Sequence, residues 1–507
     1  MLNFTPFARP YFRHRLDQIA SWEGKIEEVQ RAQLDSLLVN GRNTLWGAAR
    51  GLDRATDYET FLRQVPRPQS YEEIRPWVMK MVEGSPDILW PGVTRNFAQS
   101  SGTSDGKSKY IPITTDAFES LHYRGASDAV ALYLAHHPDS KIFGGKAFIL
   151  GGSFANELKL PPEVRVGDLS ANLIDNIHPM VNAVRVPSKE VALMADWDEK
   201  LPALVDAAIG EDITNISGVP SWFLTVLRAI IAKAGVKTIH EVWPNLEVFF
   251  HGGISMAPYW SQYAPITDPA RMNYWENYNA SEGFFAAQNS PDSPAMRLLL
   301  DCGVFYEFMP LDQIDADQPE TVPAWGVEKG KVYALVITAC NGLWRYQLGD
   351  TVRIEQTDPL LITIAGRTKA FINAFGEELM VHNAEAALKK VCEAMDCAVT
   401  DYTAAPVYTT SGAKGRHEWV IEFSRRPESV EAFADALDRA LQEENSDYQA
   451  KRAHSIFLDR LSIVEARPGL FDRWLAMTGK RGGQRKVPRL SNSRSIIDSL
   501  ISLNSTL

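Results

Sequence analysis

The 507-residue sequence predicts an α/β protein with two unequal domains, a large one over residues 1–366 and a small α+β one over 367–507. Three observations predict it. The chain is too long for one ordinary hydrophobic core. Beyond its first helices, short apolar runs ending in glycine alternate with amphipathic helical runs, which is the α/β pattern. After Arg367 the character changes to a helix-and-strand mixture long enough to fold as a separate compact module.

The elements follow in order. The first stretch of the chain reads mostly helical. In "GKIEEVQRAQLDSLLVNG" apolar residues recur at helical spacing and the run stops at Gly41. "TTDAFESLHYRGASDAVALYLAHH" (114–137) predicts a helix with a threonine cap. "KAFIL" (146–150) and "LEVFFHG" (246–252) predict short buried strands, and "SWFLTVLRAIIAKAG" (221–235) a helix closed by a C-terminal glycine. "MRLLLD", "GVFYEFMP", "KVYALVIT", "DTVRIEQ" and "LLITIAG" then make a strand-rich region. In the small domain "HNAEAALKKVCEAM" and "SVEAFADALDRALQEEN" predict helices, and "AVTDYTAAPVY", "HEWVIEFS" and "SIFLDRLSIVEAR" predict strands. The hinge falls near Gly366–Lys369, and the Gly-rich basic stretch 479–490 predicts a mobile loop.

Composition narrows the classes. Hydrophobic residues make up 45% and charged residues 23%, a globular rather than a disordered balance. The net charge of -11 argues against a nucleic-acid binder, which is more often basic. The four cysteines, Cys302, Cys340, Cys392 and Cys397, form no CxxC pair and no zinc-spaced cluster. They read as free thiols of a reducing cytoplasm. No signal-peptide run opens the sequence and no window is apolar enough for a membrane span, so a cytoplasmic protein without a membrane partner is expected.

One stretch carries the first chemical signal. "FAQSSGTSDGKSKYIPITTDAF" (97–118) crowds small hydroxyl residues, glycines and lysines into a few positions, the composition of a phosphate-holding loop. It is not a Walker A loop. Only three residues separate Gly102 from Gly106, and "KYIPIT" after it reads as a strand rather than a helix. A loop between strands still presents backbone N–H groups and hydroxyls to phosphate. A Ser/Gly-rich surface linker has the same composition.

Two further stretches add to it. "ENYNASEGFFAAQ" (276–288) places Tyr278, Ser281 and Glu282 before Gly283, an aromatic able to stack on a base and a carboxylate able to hold Mg²⁺. Read alone, Glu282 fits a surface carboxylate better than a metal ligand. "GLWRYQLGDTVRI" (342–354) sets Arg345, Tyr346 and Asp350 between two predicted strands. Asp350 fits either an acceptor for ribose hydroxyls or an ordinary turn aspartate.

The order of these motifs, followed by "AGRTKAFINAFGEEL" at the hinge, resembles the adenylate-forming superfamily. Within it the chain resembles the acyl acid amido synthetases, the Gretchen Hagen family of plant hormone-conjugating enzymes and their bacterial relatives. The likeness runs end to end and includes "YEEIRPWVMKMVEGSPDILWPG" ahead of the loop. It implies the adenylate-forming fold, a large ATP- and acyl-binding domain under a small mobile lid. It implies ATP phosphates on Ser100, Ser101, Gly102, Thr103 and Ser104, and an adenine-side loop at "HGGISM" (251–256) with Gly253. It places Tyr278 near adenine with Ser281 beside it, and makes Glu282 the Mg²⁺ ligand. Asp350 falls on the ribose, Arg345 and Tyr346 belong to the same motif, and Arg367 and Lys369 lie at the hinge. Lys486 resembles the lysine that reaches the reacting carboxylate and α-phosphate. Gln347 departs from the pattern, which most often has a basic residue there.

The implied reaction joins a carboxylic acid to an amino acid. The acid attacks the α-phosphorus of ATP, pyrophosphate leaves, and an amine then displaces AMP from the acyl adenylate. Both first reactants are anionic, so the residues above supply positioning and charge neutralisation. Two other readings share the nucleotide site: an acyl-CoA ligase, with a thiol as acceptor, and a non-catalytic nucleotide-binding relative. The acyl pocket is expected between the 114–137 helix and segment 151–185, with Arg165 facing solvent. The aromatic-rich stretch 259–278 is expected to be packing.

Overall fold

The computed structural model describes residues 3–100, 108–154, 156, 158–254, 256, 259–314, 316–367, 371–377, 379–408, 414–453, 458–477 and 487–506. The N-terminal region is helical, with helices at Thr5–Ala20, Ile26–Gly41 and Tyr71–Val82 among others. Gly41 is the last residue of its helix rather than a residue beyond it. Its reason is contact. A Cβ there would lie 2.1 Å from the ring of Trp344, which stacks on Trp46 at 5.6 Å.

β1 (Asn96–Ser100) and β2 (Lys109–Ile113) form a hairpin, β3 (Lys146–Ile149) begins a large sheet, and β4 (Arg165–Gly167) returns to lie parallel to β1. β5 (Arg185–Val186), β6 (Ile213–Gly218), β7 (Val248–Gly252) and β8 (Asn273–Ala280) join β3 as parallel neighbours. The sheet continues antiparallel through β9 (Gly283–Ser290), β10 (Ser293–Leu298), β11 (Val304–Pro310), β12 (Val322–Pro323), β13 (Val332–Ala339), β14 (Leu343–Thr357) and β15 (Leu360–Arg367). Its order is β12-β11-β13-β14-β15-β10-β9-β8-β7-β6-β3-β5.

The parallel half is covered on both faces, which is why β7 is a continuous apolar run. On one face Phe249 packs with Phe223, Leu227 and Ile230 of the helix Pro220–Ala234. On the other, Val248 and Phe250 pack with Leu132 and Tyr133 of the helix Arg124–His136. Gly235 closes the first of these helices at φ +68, as its sequence predicts. The second continues a wider, π-helical stretch, Ala117–Tyr123, and Thr114 caps it by accepting from the Ala117 N–H.

The small module has its own core, drawn from residues between Ile372 and Leu490 and including Phe375, Trp419, Phe433 and Tyr448. It holds the pair β16 (Phe371–Ile372) and β17 (Leu379–Met380), and a sheet of β18 (Ala398–Tyr408), β19 (Gly415–Arg425) and β20 (Ser462–Glu465). Helices Val381–Ala394 and Val430–Glu444 pack beside them. β20 is shorter than its sequence run suggests. The sequence does not announce β4, β5, β12, β16 or β17, each too short to show a period, nor the longer β6, β8 and β9, of which β9 is buried along most of its length and so does not alternate.

The two cores touch through named contacts. The Tyr259 hydroxyl donates to the Ala374 carbonyl at 2.6 Å, and the Tyr259 ring meets Tyr408 edge-on. The Lys451 ammonium sits 4.1 Å from the centre of the Trp222 ring.

Candidate functional site

β1 and β2 fix the ends of the predicted phosphate loop. They pair antiparallel, with Ser100 opposite Lys109 and Phe97 opposite Pro112. The loop therefore leads into a strand, as "KYIPIT" implies, and not into a helix. Ser101, Gly102, Thr103 and Ser104 lie outside the described residues, as do Lys369 and Lys486. Arg367 pairs through its backbone with Asp350, and its side chain is likewise outside the described set.

Around the loop's base the chain builds a buried polar chain. Lys109 donates to the Tyr346 hydroxyl at 3.3 Å, and that hydroxyl donates to Glu282 at 3.4 Å. The Lys109 ammonium also lies near the rings of Tyr71 and Tyr346, 5.7 and 6.0 Å from their centres, which adds cation–π attraction. Burial pushes the phenols of Tyr71 and Tyr346 up, so both are neutral at neutral pH. Glu282 stands in the β8–β9 turn and is itself buried; its carbonyl accepts from Asn341 at 2.9 Å. A buried carboxylate at the mouth of a hydroxyl-rich loop has the donor chemistry of a Mg²⁺ ligand, oxygen and negative charge.

The second half is the pair Tyr278–Asp350. The Tyr278 hydroxyl donates to Asp350 Oδ2 at 2.7 Å. β8 and β14 are not neighbours; β9, β10 and β15 lie between them in the sheet. The contact exists because the sheet curls, as strongly twisted sheets do. Gly349, at φ +93, makes the backbone turn that delivers Asp350. Ser281 lies in the turn beside Glu282, and Gly253, at φ +81, follows the carboxyl end of β7. Ligands of open α/β sheets sit at such carboxyl ends.

Arg345 is not brought to this cluster. Tyr346 faces the site, whereas Arg345, at φ +44 within a shift of the β13–β14 register, turns its side chain to Glu307. Its guanidinium is 2% exposed and forks onto both oxygens of the fully buried Glu307, at 2.8 and 2.9 Å. It also donates to the Val65 carbonyl and to Thr321. Lys109 joins the cluster although sequence reasoning did not single it out as a site residue. Its place as the first residue of the strand that follows the hydroxyl-rich loop was the signal that could have found it.

The other expectations resolve simply. Arg165 is exposed and pairs with Asp175 at 3.0 Å. In the aromatic stretch Tyr259, Tyr263 and Trp275 are buried and pack, Trp260 is 45% exposed, and Tyr278 belongs to the contact with Asp350. The Tyr123 hydroxyl donates to the Leu173 carbonyl, which ties the 114–137 helical segment to 151–185. Among the described residues one cluster has metal-ligating types in reach of each other, Asp128, Asp301 and Cys302. It is filled by the chain's own cations. Arg15 contacts Asp128 and Asp301, and Arg124 contacts Asp301.

Comparison with known proteins adds to this geometry. Three family models match: the GH3 family N-terminal domain over residues 15–272, the GH3 family central domain over 297–367 and the GH3 family C-terminal domain over 382–495. Indole-3-acetic acid-amido synthetase GH3.8 of Oryza sativa subsp. indica is 24% identical, over 94% of this chain and 90% of its own length. Jasmonoyl--L-amino acid synthetase GH3.5 of Oryza sativa subsp. japonica is 24% identical, over 94% of each chain. Among solved structures, AtGH3.15 acyl acid amido synthetase in complex with 2,4-DB superposes with a TM-score of 0.59 at 19% identity, covering 99% of this chain and 97% of its own. 2-Hydroxyisobutyryl-CoA ligase superposes with a TM-score of 0.55 at 13% identity, covering 95% and 91%. These likenesses show the adenylate-forming fold.

Proposed function

This chain belongs to the GH3 family, and on that premise we propose that it is an ATP-dependent acyl acid amido synthetase. It activates a carboxylic acid as an acyl adenylate, releasing pyrophosphate, and passes the acyl group to the amine of an amino acid. The observation that carries this reading is the meeting of Lys109, Tyr346 and Glu282 at the base of the hydroxyl-rich loop, with Tyr278 and Asp350 in the same sheet.

In this reading Asp350 accepts from the ribose hydroxyls, held in place by Tyr278. Lys109 and the loop hydroxyls neutralise and orient the phosphates. Glu282 would hold Mg²⁺, which would supply positive charge toward the phosphates. Lys486 serves the reacting carboxylate. Catalysis by positioning and charge suits a reaction between two anions. The division near residue 366 has support in the separate cores, one ending at Ile362 and the other starting at Ile372. Rotation of the small module about that hinge would shield the adenylate from water. The acyl pocket lies between the 114–137 helical segment and 151–185. A cytoplasmic location fits the four free cysteines, three of them buried.

An acyl-CoA ligase shares the fold and the first half-reaction, as the superposition on 2-hydroxyisobutyryl-CoA ligase illustrates. Pyrophosphate release with ATP and Mg²⁺ across a panel of carboxylic acids separates the readings. Each acid is run with pooled amino acids, with CoA, or alone. Acid-dependent release that rises with amino acids is expected. A rise with CoA only would move the protein to the ligases, and no release with any acid would leave a nucleotide binder.

A further inference from the structure

Lys200 has no role in the account so far. It stands on the helix Trp197–Ala208 and is 3% exposed. Its ammonium donates to carbonyl oxygens rather than to a carboxylate: Gly151 at 2.7 Å, Met194 at 3.0 Å and Gly152 at 3.4 Å. Burying a charge is costly, and neutral carbonyls offset only part of that cost. Burial pushes the ammonium down to about 8, with Asp168 acting in the other direction, so Lys200 keeps its charge at neutral pH.

The place of this cation gives it a use. Gly151 and Gly152 lie just past the carboxyl end of β3. β5 lies on one side of β3 and β6 on the other, both parallel to it. The chain runs from β3 to β5 and then crosses to β6, so the strand order reverses here, and ligands of open α/β sheets bind in the crevice at such a point. Beyond β6 comes β7, which ends at the Gly252–Gly253 turn on the nucleotide side. Gly151 itself opens the segment 151–185 on the acyl side. Strand ends of this polarity present carbonyl oxygens, and their partial negative charge repels an anion. These carbonyls are held in place. A Cβ on Gly151 would lie 2.6 Å from Ile174, and the N–H groups of Gly152 and Ser153 donate to Ser170 and Asp168 at 2.8 and 2.7 Å.

We propose that Lys200 makes this strand end receptive to an anion: its buried charge offsets the Gly151 and Gly152 carbonyls and draws the carboxylate of the acid substrate into the crevice beside β3 and β6. This rests on the amido synthetase reading. Lys200 is a positioning residue. It acts through its field and through the carbonyls it holds, without touching the acid. A field needs no exposed surface, and it is screened less inside a protein than in water.

Two variants separate the charge from the tether. Lys200→Met removes both, whereas Lys200→Gln removes the charge and can still donate to carbonyl oxygens. Wild type and both variants are given ATP, Mg²⁺, pooled amino acids and a panel of aliphatic, aryl and indole carboxylic acids, and pyrophosphate release is followed. The expected result is a KM for the acid raised about tenfold in both variants, with kcat and the KM for ATP held within about threefold. Retained kcat also shows that the variants fold; if thermal melts show that Lys200→Met alone does not, Lys200→Gln decides. A Lys200→Gln with the wild-type KM overturns the proposal and leaves Lys200 a tether. A parallel rise in both KM values, a fall in kcat at unchanged KM, or loss of folding in both variants overturns it and leaves the lysine structural. A wild type that releases no pyrophosphate with any acid overturns the amido synthetase reading, and the proposal with it.

Discussion

At the residue scale, the decisive contacts join side chains far apart in sequence. Tyr278 and Asp350 meet at 2.7 Å. Asp350→Ala is expected to raise the Kd for ATP about tenfold or more, and Tyr278→Phe by a few-fold, since a hydrogen bond to a charged group is worth about 1.5–3 kcal/mol. Lys486→Ala is expected to slow adenylation while sparing that affinity. Isothermal titration with ATP checks all three, and an unchanged Kd in Asp350→Ala removes the ribose assignment. Arg345 behaves differently. Arg345→Met strands Glu307 as a buried unpaired charge and is expected to cost about 3–5 kcal/mol in urea unfolding. The motif that contains both residues was legible in the sequence, and so were Tyr278, Glu282 and Asp350. The split within the motif was not. Arg345 sits at φ +44 inside a shift of the β13–β14 register, between the pairs Ile337–Tyr346 and Ala339–Leu343, and no local pattern announces such an irregularity.

At the element scale, long periodic helices could be read, whereas the shortest strands could not, and neither could β6, β8 and β9 in the middle of the large sheet. The helix Ile26–Gly41 was visible from its spacing, but Gly41 looked like a stop signal. It is a clearance for Trp344, a tertiary fact that no local pattern contains. Gly41→Ala is therefore expected to lower stability by about 1–3 kcal/mol, the cost of overpacking, although alanine is the better helix former. Urea midpoints with an unchanged m-value would confirm it; a stabilised variant would mean that the Trp46–Trp344 stack yields. β4, β5 and β12 have two or three residues each and carry too few positions for a period, so their pairing was set by β1, β3 and β11 rather than by their own sequence.

At the scale of the whole molecule, buried histidines tie stability to pH. His122 and His251 are both pushed down to about 4 by burial. The unfolded chain takes up protons near the ordinary value of 6.5 while the folded one does not. Stability is then full above about 6.5 and is lost as pH falls toward 4, by about 3 kcal/mol for each histidine. Thermal melts of wild type at pH 7.5 and pH 5 should show this loss, and His122→Gln should show less of it. An equal loss in the variant would place the acid sensitivity elsewhere. The Tyr259 hydroxyl on Ala374 has a consequence on the same scale. Tyr259 belongs to the segment that leaves the Gly252–Gly253 turn, and Ala374 belongs to the small module. Any free energy that the position of the small module draws from that hydroxyl is also felt at the turn. Linkage runs both ways, so a ligand that tightens the turn must shift the module's equilibrium by the same amount. One phenolic proton thus couples the contents of the cleft to the position of its cover.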